Sequence, residues 1–357
     1  MPQVQTLDRS DLIRNEKDLT FYANSYMISA VLFASVQLKI FDTLATASAT
    51  PVEMANRLAL SPDATARILD CCKALGLLQV DDAGRYRNSP LAAKFLVSSA
   101  PGSVVPVILH HARHVYSPFG ALTEAVRTGR PQIGTMARGK NQAEDNLYTI
   151  LGAEPQEFGI FLRAMNLFSA GVGTWIAETV DLSHINSMVD LGCGGGRVAF
   201  ELLSALPRLN VTLVDLAAAL DVAKETLDAS GFAERTSFVD ADLKVGFPAS
   251  LDRADAILIS AVLGDWDEDV RIDWLDNSIR QLPRDGLLLI SETLLRPAEQ
   301  NNLSASLLAL YVLVITSGGS NFTEQYWLGL LSKLGMRESR VFYNPSGGRD
   351  LIVARKS

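Results

Sequence analysis

The fold is decided by the stretch Ser187–Val198, which reads SMVDLGCGGGRV. It begins with apolar residues typical of a buried strand and ends where a helical pattern starts. Glycines at 192, 194, 195 and 196 let the backbone turn tightly and approach a ligand. The first N–H groups of the following helix have no partner within the helix, so they favour an anionic part of a ligand. The stretch predicts a strand–loop–helix unit that binds a cofactor.

An acidic residue completes this pattern. Asp215 ends the next apolar strand, 19 residues after Gly196, where a carboxylate can accept the hydroxyls of a ribose. Asp190 precedes the glycines, where it can face an ammonium group, and the helix begins with Arg197 rather than with a third spaced glycine. Both features favour S-adenosylmethionine (SAM) over a dinucleotide. NAD binding and a purely structural glycine turn remain as alternatives.

Strand and helix signals alternate through residues 181–357. The predicted strands are Ser187–Leu191, Val211–Asp215, Thr236–Val239, Ala254–Ser260, Leu287–Ser291 and Leu351–Ala354. This alternation predicts an α/β fold with a parallel, doubly wound, Rossmann-like sheet. We assign residues 181–357 to this domain, residues 98–180 to a helical connector and residues 1–97 to a mostly helical front domain.

The front domain has the element order of a winged helix. Helices are predicted over Phe21–Leu44, after Thr50-Pro51 and after Ser61-Pro62, followed by a hairpin of Leu77–Val80 with Arg85–Arg87. Its second paired helix carries charges that sum to zero, whereas a DNA-reading helix is rich in basic and amide side chains. The chain also has a net charge of −8. A dimerisation module without a nucleic-acid partner is therefore expected, with a ligand-sensing regulator as the non-enzymatic alternative.

No targeting or metal signal stands out. Residues 1–18 are mixed and charged, without the apolar core of a signal peptide, and no continuous apolar run reaches about 18 residues. The three cysteines, Cys71, Cys72 and Cys193, lack the spacing of a disulfide framework or a zinc site. These features predict a cytoplasmic protein with reduced thiols, no bound metal and no membrane partner.

Several motifs, in order along nearly the whole chain, resemble the SAM-dependent O-methyltransferases of the plant caffeate type and their bacterial natural-product relatives. They are Phe161–Ser169 (FLRAMNLFS), Val189–Gly196 (VDLGCGGG), Asp215-Leu216, Asp240–Leu243 (DADL), Leu263–Trp266 (LGDW), Ser317–Glu324 and Leu334-Gly335-Met336. The resemblance implies a class I methyltransferase fold, a homodimer formed through the front domain, and SAM as cofactor with S-adenosylhomocysteine (SAH) as product.

The residue pattern and the resemblance together predict roles for individual residues. The residues expected to bind SAM are Ser169, Asp190, Gly192, Gly194, Asp215, Leu216, Asp242, Leu243 and Ser260. Those expected to contact the substrate are Phe161, Met165, His114 and Trp266. The connector 98–180 is expected to line the substrate pocket, and its aromatic side chains suit a planar apolar substrate.

One departure from the family pattern concerns the reaction. Gly264 stands where the Leu-His-Asp-Trp motif carries the histidine that acts as general base, and the Lys or Arg often found a few residues earlier is missing from Ile259–Val262. Asp265, which is adjacent to Gly264, and Glu292, which is predicted at the carboxyl edge of the sheet where ligands bind, are the candidate replacements. His111, from the cluster His110, His111 and His114, is a third candidate base.

The sequence therefore predicts a SAM-dependent methyltransferase that acts on a small aromatic or polyketide-type metabolite, with oxygen as the favoured acceptor. A positioned base contributes about 10²–10⁴-fold to a rate, whereas positioning alone can contribute more, so methyl transfer can survive the loss of the histidine. The alternative is a methyltransferase-like enzyme that binds SAM and carries out cyclisation, rearrangement or hydroxylation.

Overall fold

The computed structural model describes residues 13–136, 147–152, 154–248, 251–296 and 303–357. The chain divides between Tyr116 and Ser117 into two compact units, at a point inside the segment predicted as the connector. The expectation about a missing signal core falls largely on residues 1–12, which lie outside the described residues.

The N-terminal unit is helical with one hairpin, in the predicted order. Its elements are α1 (Glu16–Gln37), α2 (Ile40–Thr46), α3 (Pro51–Leu58), α4 (Pro62–Ala74), β1 (Leu78–Val80), β2 (Tyr86–Asn88), α5 (Pro90–Phe95) and α6 (Val105–His110), the last continued by a π-helical turn, His111–Val115. The single helix predicted over 21–44 is wrong. Lys39 adopts a left-handed conformation with φ 57° and separates α1 from α2.

Helix starts in this unit follow the predicted signals with one exception. The Thr50 hydroxyl oxygen accepts a hydrogen bond from the backbone N–H of Glu53, and the Glu53 carboxylate accepts one from the backbone N–H of Thr50, so α3 starts with a complete capping box. Ser61 occupies the N-cap position of α4, but its side chain makes no capping hydrogen bond. Gly76, with φ +75°, follows the end of α4 as predicted.

Helix α1 presents a large apolar surface. Its exposed apolar side chains are Leu19, Phe21, Tyr22, Tyr26, Met27 and Ile28. By length and average hydropathy, α1 and the segment Pro155–Thr179 could each cross a membrane, a criterion that core helices of soluble proteins also meet. Neither is a continuous apolar run, since α1 includes Asn24 and Ser25 and the second segment is interrupted between Phe168 and Val172.

The second unit begins with helices and continues as an alternating α/β domain. The helices are α7 (Tyr116–Gly120), α8 (Leu122–Thr128), α9 (Leu147–Gly152), α10 (Pro155–Phe168), α11 (Val172–Thr179), α12 (Arg197–Ala205), α13 (Ala217–Ser230), α14 (Glu268–Gln281), α15 (Leu303–Ile315) and α16 (Glu324–Lys333). The strands are β3 (Ser187–Leu191), β4 (Asn210–Asp215), β5 (Thr236–Asp240), β6 (Ala256–Ser260), β7 (Leu287–Glu292), β8 (Met336–Phe342) and β9 (Asp350–Lys356).

These seven strands form one sheet in the order β5-β4-β3-β6-β7-β9-β8. The first five are parallel, as predicted, and all six predicted strands are present. The expectation of a wholly parallel sheet is wrong at one edge, where β9 runs antiparallel to both β7 and β8. Strand β8, which the sequence analysis did not predict, carries mostly polar and half-exposed residues because it is an edge strand.

Helices cover both faces of the sheet, so its central strands are buried on both sides. Val189, Ile257 and Ile259 point to the face covered by α14 and α16, together with Trp274 and Trp327. Met188, Ala256 and Leu258 point to the opposite face, against α11, α12 and α13. This burial on both faces explains why the strands read as continuous apolar runs.

Candidate functional site

Four polar side chains lie at the carboxyl ends of neighbouring parallel strands. Asp190 is the penultimate residue of β3, and Asp215, Ser260 and Glu292 are the last residues of β4, β6 and β7. In open α/β sheets this edge is where ligands bind, next to the point where the strand order reverses. Here the order reverses between β3 and β6, so the four residues flank the reversal point.

The glycine loop after β3 needs glycine for both conformation and space. Gly192, Gly194 and Gly196 have φ of 71°, 55° and 73°, in the left-handed region that favours glycine. A β-carbon on Gly195 would lie 2.2 Å from the side-chain nitrogen of Asn166, whereas at Gly194 it would meet nothing within 4 Å. The backbone at Gly194 therefore faces open space.

Asp215 holds this loop against the end of β4. Its Oδ2 accepts a hydrogen bond of 2.8 Å from the N–H of Gly194, and its Oδ1 accepts one of 2.7 Å from the N–H of Leu216. Burial raises the pKa of Asp215 to about 6, against the lowering effect of these two bonds. Leu216, the other residue of the predicted ribose-binding pair, is the N-cap of α13.

Asp190 is a buried carboxyl group with an unused acceptor. Its side chain is 2% exposed, and Oδ1 has no hydrogen-bond partner among the described residues. Burial, with the nearby charge of Asp215, raises its pKa to about 7, and the positive charge of Arg349 lowers it. A buried acceptor in need of a partner suits a ligand ammonium group.

Asp242 and Leu243, which follow β5, have different surroundings. Asp242 accepts a hydrogen bond from the N–H of Lys244, which closes a turn at the same edge of the sheet. The side chain of Leu243 is buried in the core that covers one face of the sheet, and its carbonyl accepts from Trp274 Nε1 at 2.8 Å. Leu243 therefore packs mainly into the protein interior.

Glu292 lies beside Gly264, the position where the family's histidine was expected. Its Oε1 accepts hydrogen bonds from the N–H groups of Val262 at 3.1 Å and Gly264 at 3.4 Å. A β-carbon at position 264 would lie 3.6 Å from Oε2 of Glu292 and 3.1 Å from the carbonyl oxygen of Ser320. Burial, then the charge of Asp265, raises the pKa of Glu292 to about 7, although Arg349 lowers it.

Asp265 anchors a group of aromatic side chains next to the Glu292 carboxylate. This aromatic wall consists of Tyr148, Trp266 and Phe161. The hydroxyl of Tyr148 donates to Oδ2 of Asp265 at 2.5 Å, and burial raises the pKa of Asp265 to about 6. The ring of Tyr148 stacks on Trp266 with centroids 5.6 Å apart and meets the edge of Phe161 at 5.7 Å. Met165, one helical turn after Phe161, packs against the same cluster. Trp266 Nε1 is buried without an acceptor among the described residues.

Sequence reasoning missed two residues of this region. Tyr148 lies in a short helix with no motif around it, and Arg349 lies in the loop between β8 and β9. The buried guanidinium of Arg349 donates to Ser260 Oγ at 3.0 Å and to Ser169 Oγ at 2.9 Å. It therefore joins two serines that the sequence analysis assigned to the cofactor. The only signal in the sequence was a basic residue directly before an apolar strand.

The histidine cluster belongs to the N-terminal unit. His110 Nδ1 and His114 Nδ1 are 3.0 Å apart, and both residues are buried, so the predicted shared helix face is confirmed. Burial holds the pKa of His110 well below its usual value and also lowers that of His111. The roles of His111 in catalysis and of His114 in substrate binding remain predictions.

The geometry on the sheet edge fits SAM. Asp190 offers an unsatisfied acceptor to an ammonium group, Asp215 lies where a ribose is expected, and the Gly194 backbone leaves room for a ligand. Together with the doubly wound sheet, these features define the class of SAM-dependent methyltransferases.

Comparison with known proteins identifies the family. Residues 119–337 match the O-methyltransferase domain family, and residues 21–98 match the O-methyltransferase dimerisation domain. The chain belongs to this O-methyltransferase family. It is therefore an enzyme that uses SAM as methyl donor, and its N-terminal unit contains the dimerisation domain. The exposed apolar face of α1 lies partly within this domain.

Individual relatives are similar over most of their length. The 3-hydroxy-5-methyl-1-naphthoate 3-O-methyltransferase of Streptomyces sahachiroi is 32% identical over 339 residues, 94% of each chain. The N,N-dimethyltransferase OxyT of Streptomyces rimosus is 30% identical over 286 residues, 80% of each chain. The crystal structure of human N-acetylserotonin methyltransferase in complex with SAM has a TM-score of 0.82 and 30% identity, and covers 98% of this chain and 99% of the human one.

Proposed function

We propose that this enzyme transfers a methyl group from SAM to a hydroxyl oxygen of a small aromatic or polyketide-type metabolite, with Glu292 in place of the missing histidine base. The observation that carries the proposal is the position of Glu292, whose Oε2 faces the space that a side chain at position 264 would enter. A carboxyl group with a pKa of about 7 is half ionised near neutral pH, which suits a general base.

Each residue of the site has a proposed role in binding or catalysis. SAM is held by three carboxylates and by the glycine loop: Asp190, Asp215, Asp242 and the Gly192–Gly194 backbone. Leu216 and Leu243 lie beside these groups. Ser169 and Ser260 lie at the methionine end of SAM. Bound SAM supplies a methyl group activated by its sulfonium. Glu292 accepts the proton of the acceptor hydroxyl. Asp265 holds the Tyr148 ring in place through its hydrogen bond and adds negative charge that keeps Glu292 basic.

The aromatic wall supports a planar acceptor. Trp266 and Phe161 flank the ring of Tyr148, and Met165 adds an apolar contact to the same cluster. The indole N–H of Trp266 has no acceptor among the described residues and can donate to an oxygen of the substrate. These contacts favour a flat, partly oxygenated ring system, consistent with the naphthoate that the Streptomyces sahachiroi relative methylates by its name.

The remaining assignments belong to this proposal. We assign dimerisation to residues 1–97, pocket lining to residues 98–180 and SAM binding to residues 181–357. His111 is proposed as a further candidate base and His114 as a substrate contact. A homodimer acting in the cytoplasm, without nucleic acid or membrane as partner, is consistent with the net charge of −8 and the dimerisation domain.

Methyl-labelled SAM tests the proposal directly. The purified full chain is incubated with labelled SAM and a small-molecule extract of its source, supplemented with 3-hydroxy-1-naphthoate and N-acetylserotonin. We expect label in an aromatic methoxy group, identified by mass spectrometry and NMR. Label on nitrogen or carbon would contradict the choice of acceptor. Turnover of an extract component that requires SAM but does not consume it would favour cyclisation, rearrangement or hydroxylation instead.

A further inference from the structure

Arg349 lies in a loop that is held firmly at the end of the sheet. Asp350, 1% exposed, accepts hydrogen bonds from the N–H groups of Asn344 at 2.9 Å and Leu294 at 3.3 Å, and forms an ion pair with Arg296 at 2.7 Å. These contacts tie the loop between β8 and β9 to the end of β7. The backbone next to Arg349 is therefore positioned by a buried carboxylate rather than by the loop alone.

The guanidinium is placed among the site's acidic groups. It donates to Ser169 and Ser260, and its positive charge lowers the pKa of the carboxyl groups of Asp190, Asp265 and Glu292. These three carboxyl groups come from β3, from the segment after β6 and from β7. Arg349 is the one cation that acts on all three among the described residues.

A cavity lies beside Arg349. The cavity has a volume of about 200 Å³ and is lined by Arg349 and Ser346–Gly348, by Gly171 between α10 and α11, and by Trp175 of α11. The stretch Ile259–Val262 contains no basic residue, yet Arg349 brings a cation to the hydroxyl of Ser260. A positive group is thus supplied to the end of β6 by a distant part of the chain.

The methionyl group of SAM carries a carboxylate that the Arg349 guanidinium can bind. Its ammonium and carboxylate are attached to the same carbon, so the groups that bind them must be neighbours. The proposed site of the ammonium is Asp190, and Arg349 is the one cation whose charge acts on Asp190 among the described residues. A guanidinium binds a carboxylate with two parallel hydrogen bonds.

We propose that Arg349 is the residue that binds the carboxylate of the methionyl group of SAM and SAH, with Ser169 and Ser260 holding the guanidinium in place. The inference rests on the proposed SAM site. It assigns to the β8–β9 loop a cofactor contact that lies outside the glycine-loop and strand-end motifs.

Two ligands that differ in the carboxylate test this assignment. Calorimetry at pH 8.5, where the acidic groups are ionised, compares SAH with S-adenosyl-3-thiopropylamine, its decarboxylated form. We expect wild type to bind SAH roughly 10- to 100-fold more tightly, as a charge-assisted hydrogen bond predicts. In Arg349→Gln the ratio of the two affinities should fall below about threefold. Arg349→Lys keeps the positive charge but loses the paired N–H donors of the guanidinium, so its ratio should be intermediate.

The ratio is measured within each variant, so partial misfolding changes the stoichiometry and not the ratio. Arg340→Gln, an exposed arginine on β8, is the matched control and should keep the wild-type ratio. A wild-type ratio that persists in Arg349→Gln, or a wild-type protein that does not distinguish the two ligands, would overturn the inference. Failure of wild type to bind SAH at all would instead refute the proposed SAM site.

Discussion

Replacing Glu292 by Gln removes the proposed base while keeping an oxygen that can accept the N–H groups of Val262 and Gly264. The loop should therefore stay in place. Loss of a general base costs about 10²–10⁴-fold in the rate of the chemical step. We expect Glu292→Gln to lower the single-turnover rate of methyl transfer by this amount, with SAH affinity within about threefold of wild type.

The pH dependence of the methyl-transfer rate gives a second test of Glu292 as the base. With a pKa of about 7, the ionised fraction of Glu292 rises about tenfold between pH 6 and pH 8, and the wild-type rate should rise with it and then level off. The rate of Glu292→Gln should show no such rise. Single-turnover transfer from methyl-labelled SAM to the identified acceptor, followed from pH 5.5 to 9, measures both profiles.

The control is Glu324→Gln, which changes an exposed carboxylate that accepts a hydrogen bond from Tyr343 outside the carboxylate cluster. It should retain the wild-type rate and profile. The assignment of Glu292 as base would be refuted if its Gln variant kept a rate within threefold of wild type, or kept the same inflection near pH 7.

Three further changes test other parts of the site and fold. Asp215→Ala should lower SAH affinity roughly 10- to 100-fold in calorimetry, because it removes the expected ribose acceptor and the anchor of the Gly194 N–H; unchanged affinity would remove Asp215 from the site. Gly264→His, in the Glu292→Gln background, should recover at least about tenfold of the lost rate, since an imidazole there can reach the same proton; no recovery would contradict the placement of the acceptor beside Glu292. Below about pH 6.5, His110 should destabilise the fold, because its lowered pKa means that the unfolded chain binds more protons. Urea unfolding from pH 7.5 to 5 should show that the unfolding free energy falls less on acidification in His110→Asn than in wild type, and equal slopes of the unfolding free energy against pH would contradict it.

The strand pattern was predictable because the sheet is buried on both faces. β3, β4, β6 and β7 are mainly apolar, and each carries a polar residue last or next to last, where it reaches the edge of the candidate site. The edge strand β8 was missed because half of its side chains face solvent, which removes the apolar run that marks a buried strand. The break at Lys39 was missed because the apolar pattern continues across it.

The residues of the candidate site also differ in whether the sequence could predict them. The glycine loop, Asp190 and Asp215 form a local pattern, because the ligand contacts of a strand–loop–helix unit lie close together along the chain. Tyr148 lies 117 positions from Asp265, to which it donates a hydrogen bond, and Arg349 lies 89 and 180 positions from Ser260 and Ser169. No local pattern marks either residue.

The sequence by itself determined the doubly wound fold, the SAM motif and the absence of a side chain at position 264, since each depends on residues that are neighbours in the chain. Only the tertiary structure decided what surrounds that empty position. It placed Glu292 beside Gly264 and brought Arg349 to Ser169 and Ser260, across 180 and 89 positions of sequence. The physical reason is that the sheet gathers distant segments at one edge, where burial raises the pKa values of carboxyl groups that would be ordinary acids in water.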